Sequence, residues 1–210
     1  MKQIFLSRKG VSLEEVPEPV LDDRMMIVRN IYSCISPGTE TAGLKSMKMN
    51  LFKKIYQKPK ILKSMINTFN KTGLGNTKNL IKKKLGQFYE IGYSSAGIIE
   101  KVGKDVRFFS PGDYVACVGG GFASHAEKIL MPENLVVRVK NSKKLNFYSS
   151  VALGAISLQS LRRLKPCLGD ICLVVGLGLI GQITLQLLRA NGVNVYGIDP
   201  SEIALKKAKK

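Results

Sequence analysis

Residues 176–181 read Gly176-Leu177-Gly178-Leu179-Ile180-Gly181, a G-x-G-x-x-G, and Asp199 follows 18 residues after the last glycine. Glycines at this spacing suit a phosphate cradle. Gly176 permits a tight turn, Gly178 lets backbone approach a pyrophosphate, and Gly181 lets a helix pack closely on a strand. The pyrophosphate would rest on the N–H groups and the positive dipole end of a helix opening at Leu179 and Ile180. A carboxylate at Asp199 would accept hydrogen bonds from a ribose diol and repel a 2′-phosphate, which favours NAD(H) over its phosphorylated form. The run Asp199-Pro200-Ser201-Glu202 also reads as a helix start, with Asp199 as N-cap, Pro200 at N1 and Glu202 at N3. Both uses of Asp199 are expected together. His125 is the only imidazole in the chain. Cys34 and Cys117 read as small core residues in strands. Cys167 and Cys172 are spaced C-x4-C, which fits neither a redox couple nor a zinc knuckle.

These residues need two kinds of scaffold. Short β-rich runs, Met25–Ile35, Ser95–Val102, Tyr114–Val118, Ser124–Leu130 and Leu135–Val139, are broken by turns such as Ser110-Pro111-Gly112-Asp113 and Gly119-Gly120-Gly121. That spacing indicates a small barrel or sandwich. From Phe147 the pattern changes. A helix is predicted over Val151–Leu164, stopped by Pro166, and a continuous apolar run, Ile171–Val175, suits a parallel strand. A helix over Leu179–Ala190 precedes Gly192, followed by a strand over Val193–Ile198 and a helix over Ser201–Lys210. The fold class is therefore α/β plus β: domain 1–147 followed by a parallel-sheet domain, 148–210.

The 210 residues are 45% apolar and 23% charged, an ordinary globular composition. No run approaches the roughly 18 apolar residues of a membrane span, and the N-terminus lacks the apolar core of a signal peptide, so a cytoplasmic protein is expected. The net charge of +18 is concentrated: residues 41–89 carry 12 Lys, no Arg and no acid. Apolar spacing there, punctuated by Pro59, Gly73 and Gly75, predicts about three short helices with a solvated Lys face, an insertion over residues 44–88. Lysines without arginine are a poor basis for nucleic-acid recognition.

A small β-barrel followed by this glycine turn resembles the medium-chain dehydrogenase/reductase superfamily. Ser36-Pro37-Gly38-Thr39-Glu40, Gly92-Tyr93-Ser94-Ser95-Ala96-Gly97 and Pro111-Gly112-Asp113-Tyr114-Val115 agree with it. The resemblance implies a GroES-like barrel, a Rossmann domain and hydride transfer between a nicotinamide and an alcohol or ketone. A narrower resemblance, carried by the same runs with the insertion and His125-Ala126-Glu127, is to the dehydrogenase half of bacterial bi-domain oxidoreductases. It implies a glucose-fructose-oxidoreductase-like half in a longer parent, a sugar-derived small-molecule substrate and scope for oligomers.

The departures bear on mechanism. Pro37 stands where zinc-dependent relatives place a Cys ligand, Tyr93 where they place a His, and the four-Cys lobe is missing, so no metal site is expected. Hydrogen-bond donors must then polarise the substrate oxygen. The candidates are Thr39, at the position of the family's proton-relaying hydroxyl, Tyr93 and His125. The Rossmann domain would be incomplete at Lys210, which reads as a C-terminally truncated fragment of doubtful activity. Two other function classes are carried forward: a non-catalytic dinucleotide-binding module and a basic binder of nucleic acid or anionic surfaces.

Overall fold

The computed structural model describes residues 1–7, 10–41, 89–140 and 142–209. The helices expected between residues 44 and 88 lie outside them. An N-terminal hairpin, β1 (Lys2–Ser7) and β2 (Gly10–Glu15), pairs from Lys2↔Glu15 to Ser7↔Gly10. β3 (Met25–Ser33) follows, then a helical turn over residues 37–41. The short β4 (Tyr89–Glu90) adds to β1. β5 (Ser94–Val102), β6 (Tyr114–Val118), β7 (Lys128–Pro132) and β8 (Val136–Arg138) join β3 in an antiparallel sheet of order β7-β3-β5-β6-β8.

The apolar positions of these strands build the core. Met26, Val28, Ile99, Val115, Cys117, Ile129 and Met131 form one buried cluster, as strands with one covered face must. Ser124–Glu127, expected as the start of β7, instead run outside the ladder and meet β1 through a Gln3↔Ala126 bridge. The Asn30 side chain explains this: its Nδ2 donates to Ser124 O (3.2 Å) and Ala126 O (2.8 Å), taking carbonyls a strand would have used. β3 ends at Ser33, so Cys34 lies past the strand and is half-buried rather than a core residue of it.

After β8 comes α1 (Leu145–Tyr148), packed against β3 and β5; the expected boundary at 147/148 falls inside it, and the parallel-sheet unit follows. α2 (Val151–Leu164) ends where expected: Lys165 adopts a left-handed conformation (φ 51°) before Pro166. β9 (Ile171–Val175), α3 (Leu179–Ala190), β10 (Asn194–Ile198) and α4 (Glu202–Ala208) follow. β9 and β10 are parallel, paired from Asn194↔Ile171 to Ile198↔Val175. Their register puts Ile171, Leu173, Val175, Tyr196 and Ile198 on one face, and that face is uncovered: the three β9 residues are 74%, 58% and 75% exposed. Ser94 fastens the two units. Its Oγ donates to Ser149 O and accepts the Ala152 N–H at 3.1 Å, so β5 is bonded to the approach and first turn of α2. Among the described residues no helix is long and apolar enough to cross a membrane.

Candidate dinucleotide cleft and its polar wall

The glycine turn connects β9 to α3, and its sequence dictates its shape. Gly176 sits at φ +91°, a left-handed conformation that disfavours any side chain. A Cβ on Gly181 would lie 2.0 Å from Gly176 O, so only glycine lets α3 start this close to the strand. At Gly178, the N-cap of α3, a Cβ would meet nothing within 4 Å. No side chain caps α3 and its first turn holds no acidic residue, so its leading N–H groups have no capping side chain. A helix start of this kind suits an anion.

Asp199 follows β10 directly, beside this turn. Its Oδ2 accepts the Leu177 N–H (2.7 Å) and its Oδ1 the Ser201 N–H (2.7 Å). These bonds, the Leu177 one foremost, hold its carboxyl below the usual carboxylate value. The N-cap of α4 is therefore Ser201, whose Oγ accepts the Ala204 N–H (3.4 Å), and not Asp199 as the sequence suggested. The carboxylate turns back to the glycine loop because a strand end lies within reach of its N–H groups. Gln182 was not foreseen. Its Nε2 donates to Leu177 O and Ala204 O, both at 3.0 Å, bracing the same residue through its carbonyl.

A cleft of about 850 Å³ runs along this turn. Gly176 and Gly178–Gly181 form one wall with Ile156 and Leu161 of α2, and Ser36–Gly38 close it from the barrel side. A second cleft of about 610 Å³, between α3, β10 and α4, is lined in part by Arg189, Lys207 and Lys209; Thr39, Tyr93 and His125 line neither cleft.

Behind Ser36–Gly38 lies a hydrogen-bonded cluster. Glu40 N donates to Ser36 O (3.0 Å), and the Glu40 Oε1 atom accepts the Ser36 N–H (3.1 Å), which closes the turn reciprocally. The exposed Thr39 bonds Ser36 Oγ at 3.3 Å, and Thr41 Oγ1 donates to Pro37 O. His125 is buried, with Nε2 3.1 Å from Glu40 Oε1 and Nδ1 2.8 Å from Ser33 Oγ. Gly92 packs on it: a Cβ there would stand 2.7 Å from His125 N. Tyr93 follows, half-buried, its backbone carbonyl accepting the Gly119 N–H at 2.9 Å.

The fold thus brings Thr39 and His125 together through Glu40, with Gly92 against the imidazole; the glycine turn forms the opposite wall of the cleft, and Asp199 stands behind it, bonded to Leu177. Glu40 and Ser33 escaped sequence reasoning because the bonds joining them to His125 span 85 and 92 residues. The one available hint was Glu40 closing the Ser-Pro-Gly-Thr-Glu run. Among the described residues no three His, Cys, Asp or Glu side chains converge as metal ligands would.

No protein-family profile matches the chain. It is 34% identical over 119 residues to a mouse (Mus musculus) quinone oxidoreductase, covering 54% of this chain and 35% of that protein. A zinc-type alcohol dehydrogenase-like protein of Schizosaccharomyces pombe is 28% identical over 145 residues, 57% of this chain and 41% of its own. D-guloside 3-dehydrogenase of Escherichia coli is 28% identical over 122 residues, 53% and 32% respectively. These matches span well under half the length of the relatives. A solved Escherichia coli quinone oxidoreductase, complexed with NADPH, superposes with a TM-score of 0.73 at 14% identity, covering 100% of this chain and 56% of that one. With a barrel, a glycine turn and relatives of one kind, the chain is similar over about half its length to quinone oxidoreductases and alcohol dehydrogenase-like proteins of the medium-chain dehydrogenase/reductase superfamily.

Proposed function

We propose that the chain is the barrel and the leading part of the dinucleotide-binding domain of a zinc-independent, NAD(H)-dependent oxidoreductase. The single observation that carries this reading is the Asp199 carboxylate bonded to the Leu177 N–H, at the end of β10 and against the glycine turn. Each carboxylate oxygen keeps a lone pair for a ribose hydroxyl, and the negative charge opposes a 2′-phosphate. The NADPH in the Escherichia coli neighbour belongs to that protein; Asp199 argues for the unphosphorylated dinucleotide here.

The nicotinamide, when bound, supplies the hydride-carrying carbon. This chain's residues do the rest. The leading N–H groups of α3 receive the pyrophosphate, held by Gly176, Leu177, Gly178, Leu179, Ile180 and Gly181. Thr39, exposed next to the Ser36–Gly38 wall, takes the carbinol proton as the hydride leaves and passes its own hydroxyl proton to solvent water, and the Tyr93 phenol donates a hydrogen bond to the substrate oxygen. His125 has both ring nitrogens engaged within the protein, so its contribution passes through Glu40.

A polar alcohol or ketone derived from a sugar is the proposed substrate, supported by the D-guloside 3-dehydrogenase relative and by the narrower resemblance, which also supplies the glucose-fructose-oxidoreductase-like half of a cytoplasmic parent. A second reading, a non-catalytic dinucleotide-binding module, is favoured by one observation: Ser94 and His125 spend their polar atoms internally. Fluorescence titration of the chain with NADH and NADPH tests the first reading. NADH binding, at least about tenfold tighter than NADPH, is expected; tighter NADPH overturns it. Turnover of bound NADH with polar ketones separates enzyme from module.

A further inference from the structure

We infer that Glu40 and His125 form a buried clamp that positions Thr39, with Glu40 as a positioning residue and His125 serving the site only through it. The inference rests on Thr39 being the proton-handling hydroxyl proposed above. Three observations carry it.

First, Glu40 Oε1 accepts two hydrogen bonds at once, from the Ser36 N–H and from His125 Nε2, each at 3.1 Å. The first closes the turn that ends in Thr39 and Glu40; the second ties that turn to a segment 85 residues away. An isolated five-residue turn would not hold one geometry, because a single helical turn fixes many dihedrals for few bonds. Second, the imidazole is only 4% exposed and its other nitrogen is engaged by Ser33 Oγ at 2.8 Å. A carboxylate only accepts, so Nε2 carries a proton toward Glu40, while Nδ1 is engaged by the Ser33 hydroxyl. Both ring nitrogens are thus held within the protein and neither is turned to a substrate. Third, the ring cannot swing away. Gly92, at φ +99°, lies against His125 with no room for even a Cβ, and His125 N donates to Ile91 O at 2.8 Å.

Ser36, Pro37 and Gly38 of this turn line the cleft opposite the glycine turn. Fixing the turn therefore fixes where the Thr39 hydroxyl can stand relative to a bound dinucleotide. Loss of the clamp frees the hydroxyl without touching the phosphate cradle, and the two effects are separable.

The chain holds one histidine, so ¹⁵N-histidine labelling gives a single imidazole readable without assignment. The expected wild-type spectrum shows a proton on Nε2, exchanging slowly with water. Glu40→Ala should speed that exchange, and exchange of the Ser36 amide, by at least about tenfold, as expected for one lost hydrogen bond. Glu40→Gln keeps an acceptor oxygen and should restore most of the protection. On addition of NADH the Thr39 methyl resonance should move in wild type and Glu40→Gln but not in Glu40→Ala, with the NADH Kd changed less than about twofold. A wild-type proton on Nδ1 alone, or unchanged imidazole exchange in Glu40→Ala, overturns the clamp. A Thr39 methyl that responds equally in all three proteins overturns the positioning role. Failure of the wild type to bind NADH strikes the functional reading alone, since the imidazole spectra need no dinucleotide.

Discussion

The Asp199 Oδ2 atom and the Leu177 nitrogen are 2.7 Å apart, so the residue that follows β10 is bonded to the second residue of the glycine turn. The bond does two jobs: it shapes the turn, and it aims a carboxylate at the ribose position. Asp199→Asn removes the charge and keeps an acceptor oxygen for Leu177. NADH affinity should fall by roughly one to two decades, as for loss of a paired polar contact, while NADPH falls less. Paired titrations with the two dinucleotides read this directly; an unchanged preference would reduce Asp199 to a structural role.

The same carboxyl sets an acid limit. Its folded value is depressed, chiefly by the Leu177 N–H and then by that of Ser201. The stabilisation is thus complete above the ordinary carboxylate value near 4 and is lost as pH falls through the lower folded value. Dinucleotide affinity should stay flat from pH 8 down to about 5. Leu177 amide exchange should accelerate only below that range. Acceleration setting in at neutral pH would contradict the assignment.

Two glycines of the fingerprint should fail differently. Gly181→Ala places a Cβ 2.0 Å from Gly176 O and should cost about 1–3 kcal/mol, seen as a lower denaturation midpoint. Gly178→Ala meets nothing within 4 Å. It should melt like wild type yet lose NADH binding, because the added methyl occupies the phosphate's space. Equal melting and equal binding in both variants would remove the cradle from this turn.

Zinc should not bind stoichiometrically. Pro37 and Tyr93 stand where ligands would, and Ser94 spends its hydroxyl on Ser149 and Ala152. Metal analysis of tag-free protein should give far less than one zinc per chain. A chelator-sensitive equivalent would redirect attention to Cys34, Cys117 and His125.

Burial pushes the Cys117 thiol up to about 12. A raised value means stability fully present below the unfolded thiol value, near 9, and lost as pH climbs toward 12. The loss should reach roughly 2 kcal/mol by pH 10.5. Cys117→Ala should flatten that part of the curve relative to wild type in denaturant titrations at pH 8 and 10.5. Native-state alkylation should take the exposed Cys167 first and Cys117 last; the reverse order would refute the burial argument.

Local signals explain what the sequence revealed. α2, β9 and α3 match their expected bounds because Pro166, a continuous apolar run and Gly192 act within a few residues of the elements they delimit. The N-terminal hairpin gave no such signal. In β2 the apolar Val11 and Leu13 are 57% and 62% exposed while Ser12 is more covered, so its alternation runs against the usual sense. The glycine turn was readable as a spacing. The clamp was not, since Ser33, Glu40 and His125 meet only after two sheets have assembled, and nothing in their local sequence encodes a bond across 85 or 92 positions.

The bare face of β9 and β10 has a consequence for handling. Ile171, Leu173, Val175, Tyr196 and Ile198 together present an oily, flat strip with parallel backbone beside it. Such strips recruit one another in a concentration-dependent way. Sample lifetime will therefore be governed by collision frequency rather than by unfolding: dilute, cold, high-charge conditions should preserve the chain for spectroscopy, and the +18 charge makes low ionic strength the first lever to pull, because salt that screens that repulsion lets the strips meet.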